Sequence, residues 1–239
     1  MNFEKIKSLI KKNGYYFHQD ENSIDLAQKA RTEYLSIFPH LVKHSPREPF
    51  TQLQLNHSPW LKLAIGSTNG VGDPYAQFLM TTYFAESLAS ARNISNYFEY
   101  LIEIRNSISE VDSDFGGWNS NSNFWNASRI HHYPRGGGFM MEHADTHFPK
   151  ILASAKIPFL QVMGLLSARG DGFFEGGGFI VGRDRQKHFV EDDSAIGRIV
   201  MFDGSCRHGV ADIDPDHVLN LDSTLGRIAA FVNVYERRD

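Results

Sequence analysis

His143 and Asp145, separated by one alanine, are followed 63 residues after the aspartate by His208 and then by Arg227 at the head of an apolar run. Two imidazoles and one carboxylate form the ligand set of a mononuclear non-haem Fe(II) centre, which leaves three coordination positions open on one face. Side chains at i and i+2 of an extended segment project to the same side, so His143 and Asp145 can chelate one ion from one short stretch. His208 has to arrive from another strand. It follows the run Gly197-Arg198-Ile199-Val200-Met201-Phe202-Asp203, and an antiparallel neighbour would bring it beside the first pair.

The triplet alone says little, because His18-Gln19-Asp20 has the same form in a chain with 11 histidines. That copy has no glycine-rich lead-in and runs into a charged stretch, so it reads as solvated surface. For His143 and Asp145 the competing reading is an ordinary buried His–Asp hydrogen bond. His132, His147, His188 and His217 are read as surface or core residues. From Arg227 to Tyr235, one face of an extended chain carries Arg227, Ala229, Phe231 and Asn233, and the other Ile228, Ala230, Val232 and Val234. An arginine opening so apolar a strand wants an anion, and its planar fork suits a carboxylate. That carboxylate belongs either to a ligand or to one of the 28 acidic residues of the chain.

The elements that would position these residues divide into a mostly helical N-terminal half, 1–126, and a strand-rich half, 127–239, read together as one domain. Helical spacing predicts helices over 3–12, 23–37, 75–92 and 94–108, with Asn13-Gly14 as a stop before a short strand at 15–18. Residues 38–73, carrying Pro39, Pro46, Pro49, Pro59, Gly66, Gly70 and Gly72, read as irregular loop, with helix resuming near Pro74. Beyond Ala127, short β-branched and aromatic runs between glycines predict strands near 128–133, 138–143, 157–167, 177–182, 187–190, 197–203, 207–211 and 226–235. Helices first and strands later argue for an α+β fold with a double-stranded β-helix, or jelly-roll, core buttressed by N-terminal helices.

A formal charge of -4 and a sequence pI near 6.2 provide no general field for nucleic acid or anionic lipid, so any anion site is local. The first residues interleave charge with apolar side chains, unlike a signal peptide, and no apolar run is long enough for a bilayer. A single cysteine, Cys206, forbids an intrachain disulfide and fits a cytoplasmic location.

The surroundings of the four residues resemble the prolyl-hydroxylase-like branch of the Fe(II)/2-oxoglutarate-dependent dioxygenases, over roughly 127–236. Tyr133-Pro134 with Gly136-Gly137-Gly138 looks like that family's lead-in to its first two ligands. Glu175-Gly176-Gly177-Gly178-Phe179 resembles its Glu-Gly-Gly turn, Arg207-His208-Gly209-Val210 its last ligand, and Gly226-Arg227 its cosubstrate arginine. Each piece is common, and five in the right order are specific. One departure is the long segment from Asp212 to Leu225 between His208 and Arg227, which reads as an inserted loop either covering the site or lying on the surface.

The resemblance implies Fe(II) on His143, Asp145 and His208, with 2-oxoglutarate and dioxygen as cosubstrates and ascorbate as a possible support. Arg227 would hold the far carboxylate of 2-oxoglutarate, helped by Tyr133. Leu165 aligns where some relatives carry a second tyrosine, and Gln161, on the same face, is a candidate substitute. Asp145 as a ligand disfavours halogenation and leaves hydroxylation, desaturation and related outcomes open. Arg129 and His131 share the face of Tyr133, and Asn233 that of Arg227, so all three are candidate substrate contacts. The expected substrate is a small polar or carboxylate-bearing molecule such as an amino acid or derivative. The alternatives are a peptide or protein side-chain hydroxylase, and a non-catalytic jelly-roll module that binds metal or 2-oxoglutarate.

Overall fold

The computed structural model describes residues 1–237 apart from 46–47, 69–74, 87, 121, 146–149, 151 and 154, with backbone alone at 52–53 and 67–68. His147, Pro46, Gly70, Gly72 and Pro74 therefore lie outside the described residues. In chain order the N-terminal half contains α1 (Phe3–Asn13), β1 (Tyr15–His18), α2 (Glu21–Ile37), β2 (Lys43–His44), α3 (Gln52–Leu55), β3 (Trp60–Thr68), β4 (Tyr75–Tyr83), α4 (Arg92–Ser109) and β5 (Phe124–Asn126). The second half contains β6 (Arg129–Pro134), β7 (Gly138–His143), β8 (Leu160–Leu165), β9 (Ala168–Arg169), β10 (Gly172–Phe173), β11 (Gly177–Val181) and β12 (Lys187–Phe189). It closes with β13 (Ile199–Asp203), β14 (His208–Ile213), β15 (Gly226–Phe231) and β16 (Val234–Glu236).

Local chemistry explains the helix ends. Asn2 Oδ1 accepts from the Lys5 N–H to start α1, and Gly14, at φ 91°, ends it by donating to the Ile10 carbonyl. At α2, Asp20 and Ser23 form a reciprocal capping box. This gives His18-Gln19-Asp20 its role: the aspartate caps a helix, and His18 Nε2 lies 2.8 Å from its other oxygen.

Among the described residues, twelve strands form one curled, largely antiparallel sheet in the order β1-β13-β8-β15-β6-β4-β7-β14-β11-β12, with β3 on the free side of β4 and β2 beyond it. This is the jelly-roll core that the strand pattern predicts. Strand alternation sends Ile130, Val162, Ile199, Met201, Ile228 and Ala230 outward against α1, α2 and α4, where they pack with Ile6, Ala27, Ala30, Tyr97, Leu101 and Ile104. The helices thus buttress one face of the sheet, as expected.

The sequence reading is corrected at three places. Residues 75–83, expected to be helical, form β4, and residues 60–68, expected to be loop, form its partner β3, so the N-terminal half supplies two long strands to the sheet. The run Tyr-Ala-Gln-Phe-Leu-Met-Thr-Thr-Tyr carries apolar and small polar residues on both faces, and such a run fits helical spacing as well as strand alternation. The strand expected over 226–235 breaks after Phe231, where Arg105 of α4 takes the Val232 carbonyl and Ala127 N–H takes that of Asn233, and the chain resumes as β16 against β5. The 212–225 segment contributes nothing to the central cavity. It lies against the β6–β7 turn, with Val218 exposed.

His132 is fully buried beside Phe38 and Tyr34, with Nε2 3.1 Å from the Leu225 carbonyl, and burial pushes its pKa down to about 4. The unfolded chain then binds a proton that the folded chain refuses between about pH 6.5 and 4. This one site should remove roughly 3 kcal/mol of stability as pH falls through that window. Denaturant melts of wild type and His132→Phe across the window should show the variant losing less stability on acidification, and identical slopes would contradict this.

Candidate metal centre

β7 and β14 pair so that His143 stands directly opposite His208, with ring centroids 4.4 Å apart. His143 Nδ1 lies 2.9 Å from the Met141 carbonyl, and His208 Nδ1 lies 3.0 Å from that of Cys206. A carbonyl only accepts, so each Nδ1 carries the proton and each Nε2 presents a lone pair inward, the tautomer of a metal ligand. Asp145, two residues past His143, sets Oδ1 3.8 Å from His143 Nε2 and Oδ2 3.8 Å from His208 Nε2. These separations are too long for the competing His–Asp hydrogen bond. All three ligand atoms lie within 4.8 Å of one another. Burial, followed by the neighbouring His143, lowers the His208 pKa and keeps its imidazole in the neutral, ligating form. Two inward lone pairs and a carboxylate, with no proton donor between them among the described residues, fit a divalent cation.

Packing fixes the ligands further. Tyr75 stacks on the His143 ring at 4.0 Å, and Phe202 meets the His208 ring edge-on at 5.2 Å. Gln161 Nε2 donates to Asp145 Oδ2 at 2.5 Å, and Asn233 Nδ2 donates to Gln161 Oε1 at 2.9 Å. Gln161, expected at the cosubstrate, has its amide directed from β8 at Asp145. Asn233, expected at the substrate, backs up that contact and keeps a buried Oδ1 with no partner among the described residues.

The triad opens into a cavity of about 420 Å³. Arg227 and Tyr133, paired across β15 and β6, both line it, with the guanidinium 5.3 Å from the phenol ring. Arg227 is 1% exposed, and the acidic partner anticipated as one alternative is present: Nε donates to Glu191 Oε1 at 2.5 Å. Glu191 Oε2 in turn accepts from the Gly178 N–H. A side chain at 178 would collide with the arginine, since an added Cβ would sit 2.5 Å from Nη2, which explains the glycine there. Nη1 of Arg227 is buried with no partner among the described residues.

Arg129 and His131 also line the cavity, as the strand alternation of β6 predicts. The residues that the sequence reading missed are Glu191 and the hairpin wall, Lys62 from β3 with Tyr75, Gln77, Thr81 and Tyr83 from β4. Alternation of Tyr75, Gln77, Leu79, Thr81 and Tyr83 was the available signal for the wall. For Glu191 it was an acid placed directly after the apolar pair Phe189-Val190.

No protein-family model matches the chain, and no curated protein matches it. Solved structures do. A Pseudomonas putida prolyl-4-hydroxylase superposes with a TM-score of 0.59 at 14% identity, covering 99% of both chains. A Trichoplax adhaerens prolyl hydroxylase, solved with a hypoxia-inducible-factor peptide fragment, gives 0.53 at 10% identity over 98% of this chain and 89% of its own. The chain has the prolyl-hydroxylase fold. The non-haem α-ketoglutarate-dependent epimerase SnoN of nogalamycin biosynthesis shares it at a TM-score of 0.51 and 9% identity, over 98% of this chain and 82% of that one. Within this fold, no helix among the described residues is long and apolar enough to cross a membrane.

Gln161→Leu would remove the donor that orients Asp145, and a lost contact of this kind typically costs ten-fold or more in metal affinity. Calorimetric titration with Mn(II) should show about that loss with folding intact, and unchanged affinity would contradict the role given to Gln161.

Proposed function

We propose that this chain is an Fe(II)- and 2-oxoglutarate-dependent oxygenase that oxidises a C–H bond of a small polar or carboxylate-bearing molecule, hydroxylation being the favoured outcome. The observation that carries the reading is one cavity holding both the His143, Asp145 and His208 ligand set and a buried arginine with an unspent nitrogen. Fe(II) with 2-oxoglutarate and dioxygen supplies the oxidising power, one oxygen atom leaving in succinate as carbon dioxide is released and the other entering the product.

The protein's part is positioning. His143 and His208 hold their Nε2 lone pairs inward through the carbonyls of Met141 and Cys206. Gln161 orients Asp145. Glu191 occupies the Nε side of Arg227 and leaves Nη1 for the far carboxylate of 2-oxoglutarate, a charge-assisted contact in a site shielded from water. Tyr133 packs against the same guanidinium and narrows that end. A cavity of about 420 Å³ is at the small-molecule scale, which favours a compact substrate over a peptide side chain. The fold is shared by proteins named as hydroxylases and by one named as an epimerase, so the choice of outcome rests with how the substrate is seated.

Purified protein should convert 2-oxoglutarate to succinate only with Fe(II), faster when its substrate is present, and His143→Ala should abolish this. Absence of succinate across a broad metabolite pool, or wild-type turnover by His143→Ala, would sink the reading. Arg227→Ala should raise the 2-oxoglutarate concentration needed for half-maximal turnover by ten-fold or more while iron content stays near wild type. Equal loss of both would point to a folding defect instead.

A further inference from the structure

The cavity holds two arginines in different electrostatic dress. Arg227 has Glu191 as counter-ion. Arg129 is 6% exposed and has no carboxylate partner among the described residues. Its Nε donates to His131 Nε2 at 3.1 Å and its Nη1 to the Ala127 carbonyl at 3.0 Å, both neutral acceptors. His131 stays uncharged, because burial and then Arg129 and Arg227 hold its pKa well below the ordinary histidine value. The Arg129 guanidinium lies 5.6 Å from the Phe231 ring and 5.4 Å from that of Tyr235, which fixes its plane. Two bonds leave both protons of Nη2 and one of Nη1 for a ligand, enough for a bidentate carboxylate. A guanidinium desolvated to this extent is costly without an anion.

Strand register places a second cation nearby. Lys62, Thr81 and His131 stand in one row across β3, β4 and β6, and Arg129 is one step along on the same face, opposite Tyr83. Lys62 lines the cavity with Nζ 5.0 Å from the Phe50 ring; it forms no ion pair among the described residues, and burial lowers its pKa against the opposing charge of Glu48. The hairpin that the sequence reading took for loop and helix therefore supplies half of this cationic wall.

We propose that Arg129, with Lys62, anchors a carboxylate of the substrate, distinct from the cosubstrate carboxylate assigned to Arg227. The inference rests on the oxygenase reading above and narrows the substrate to a small carboxylic acid, whose anionic end sits on β6 and β3 while the rest of the molecule reaches toward the triad.

The test is binding, read apart from turnover. Full-length protein loaded with Mn(II) and saturated with 2-oxoglutarate is titrated, by thermal shift and calorimetry, with linear and aromatic monocarboxylates, N-acetylglycine and N-acetyl amino acids, each beside its primary amide. At least one acid should bind ten-fold or more tighter than its amide. Arg129→Met should cost that acid ten-fold or more, with 2-oxoglutarate affinity held within two-fold. Arg129→Lys should recover part of the loss, and Lys62→Met, on a partly exposed side chain, provides a second variant that should weaken the acid alone. No acid exceeding its amide, or an acid that binds equally well to Arg129→Met and Lys62→Met, would overturn the proposal. Loss of 2-oxoglutarate binding in Arg129→Met would overturn it too, by making Arg129 the cosubstrate residue. Failure of wild-type protein to bind 2-oxoglutarate in a metal-dependent way is a separate result, and it would remove the oxygenase reading itself.

Discussion

The register of β14 against β7 is the constraint on which everything else in this molecule depends. A slip of one residue would turn His208 to the other face of the sheet and leave His143 and Asp145 as an isolated pair. Several features hold the register. Gly209 allows the strands to approach, since a Cβ there would meet the Met140 carbonyl at 2.8 Å. Val210 and Ile213 pack under the sheet with Leu79, Tyr133 and Phe173, and irregularities between His208 and Ile213 absorb the curl that lets the sheet close over the cavity.

The second organising feature is the buried pair of Arg227 and Glu191. Burying both charges is expensive, and such a pair is retained more readily for what it orients than for net stability. Here Glu191 fixes one edge of the guanidinium, and Gly178 provides both the N–H that orients Glu191 and the space beside Nη2. The pair leaves Nη1 of Arg227 as a donor with no partner among the described residues. Arg129, with no carboxylate partner among the described residues, carries its charge at another point of the same cavity. On the proposed reading, one cavity presents two anion-binding ends of different character, a way to tell two acids apart.

The sequence was legible where a residue's neighbours in the chain decide its fate. The ligand triad, the alternation of β15, the glycine stop of α1 and the long helix at 92–109 all follow from local pattern, whereas the Asp20 cap of α2 looks like solvated surface. It was misleading where apolar and small polar residues on both faces suited either period, as in β4, and where prolines and glycines around β3 disguised a strand. Gln161 was placed on the cavity face, but its hydrogen bond to Asp145 was not foreseen, since contacts between distant segments are not encoded in spacing. Glu191 escaped notice because Glu191-Asp192-Asp193 looks like a solvated acidic run, and only the fold reveals that its first member is turned inward while Asp192 pairs with Arg198.

The proposed oxygenase chemistry depends on where a metal and 2-oxoglutarate would sit. A crystal structure grown without oxygen, with Fe(II) and 2-oxoglutarate, tests this most directly. It should show the ion on His143 Nε2, His208 Nε2 and an Asp145 oxygen, with the far carboxylate of 2-oxoglutarate on Arg227 Nη1 and Glu191 still on Nε. Iron bound elsewhere, or that carboxylate on Arg129 with the Arg227–Glu191 pair untouched, would contradict it.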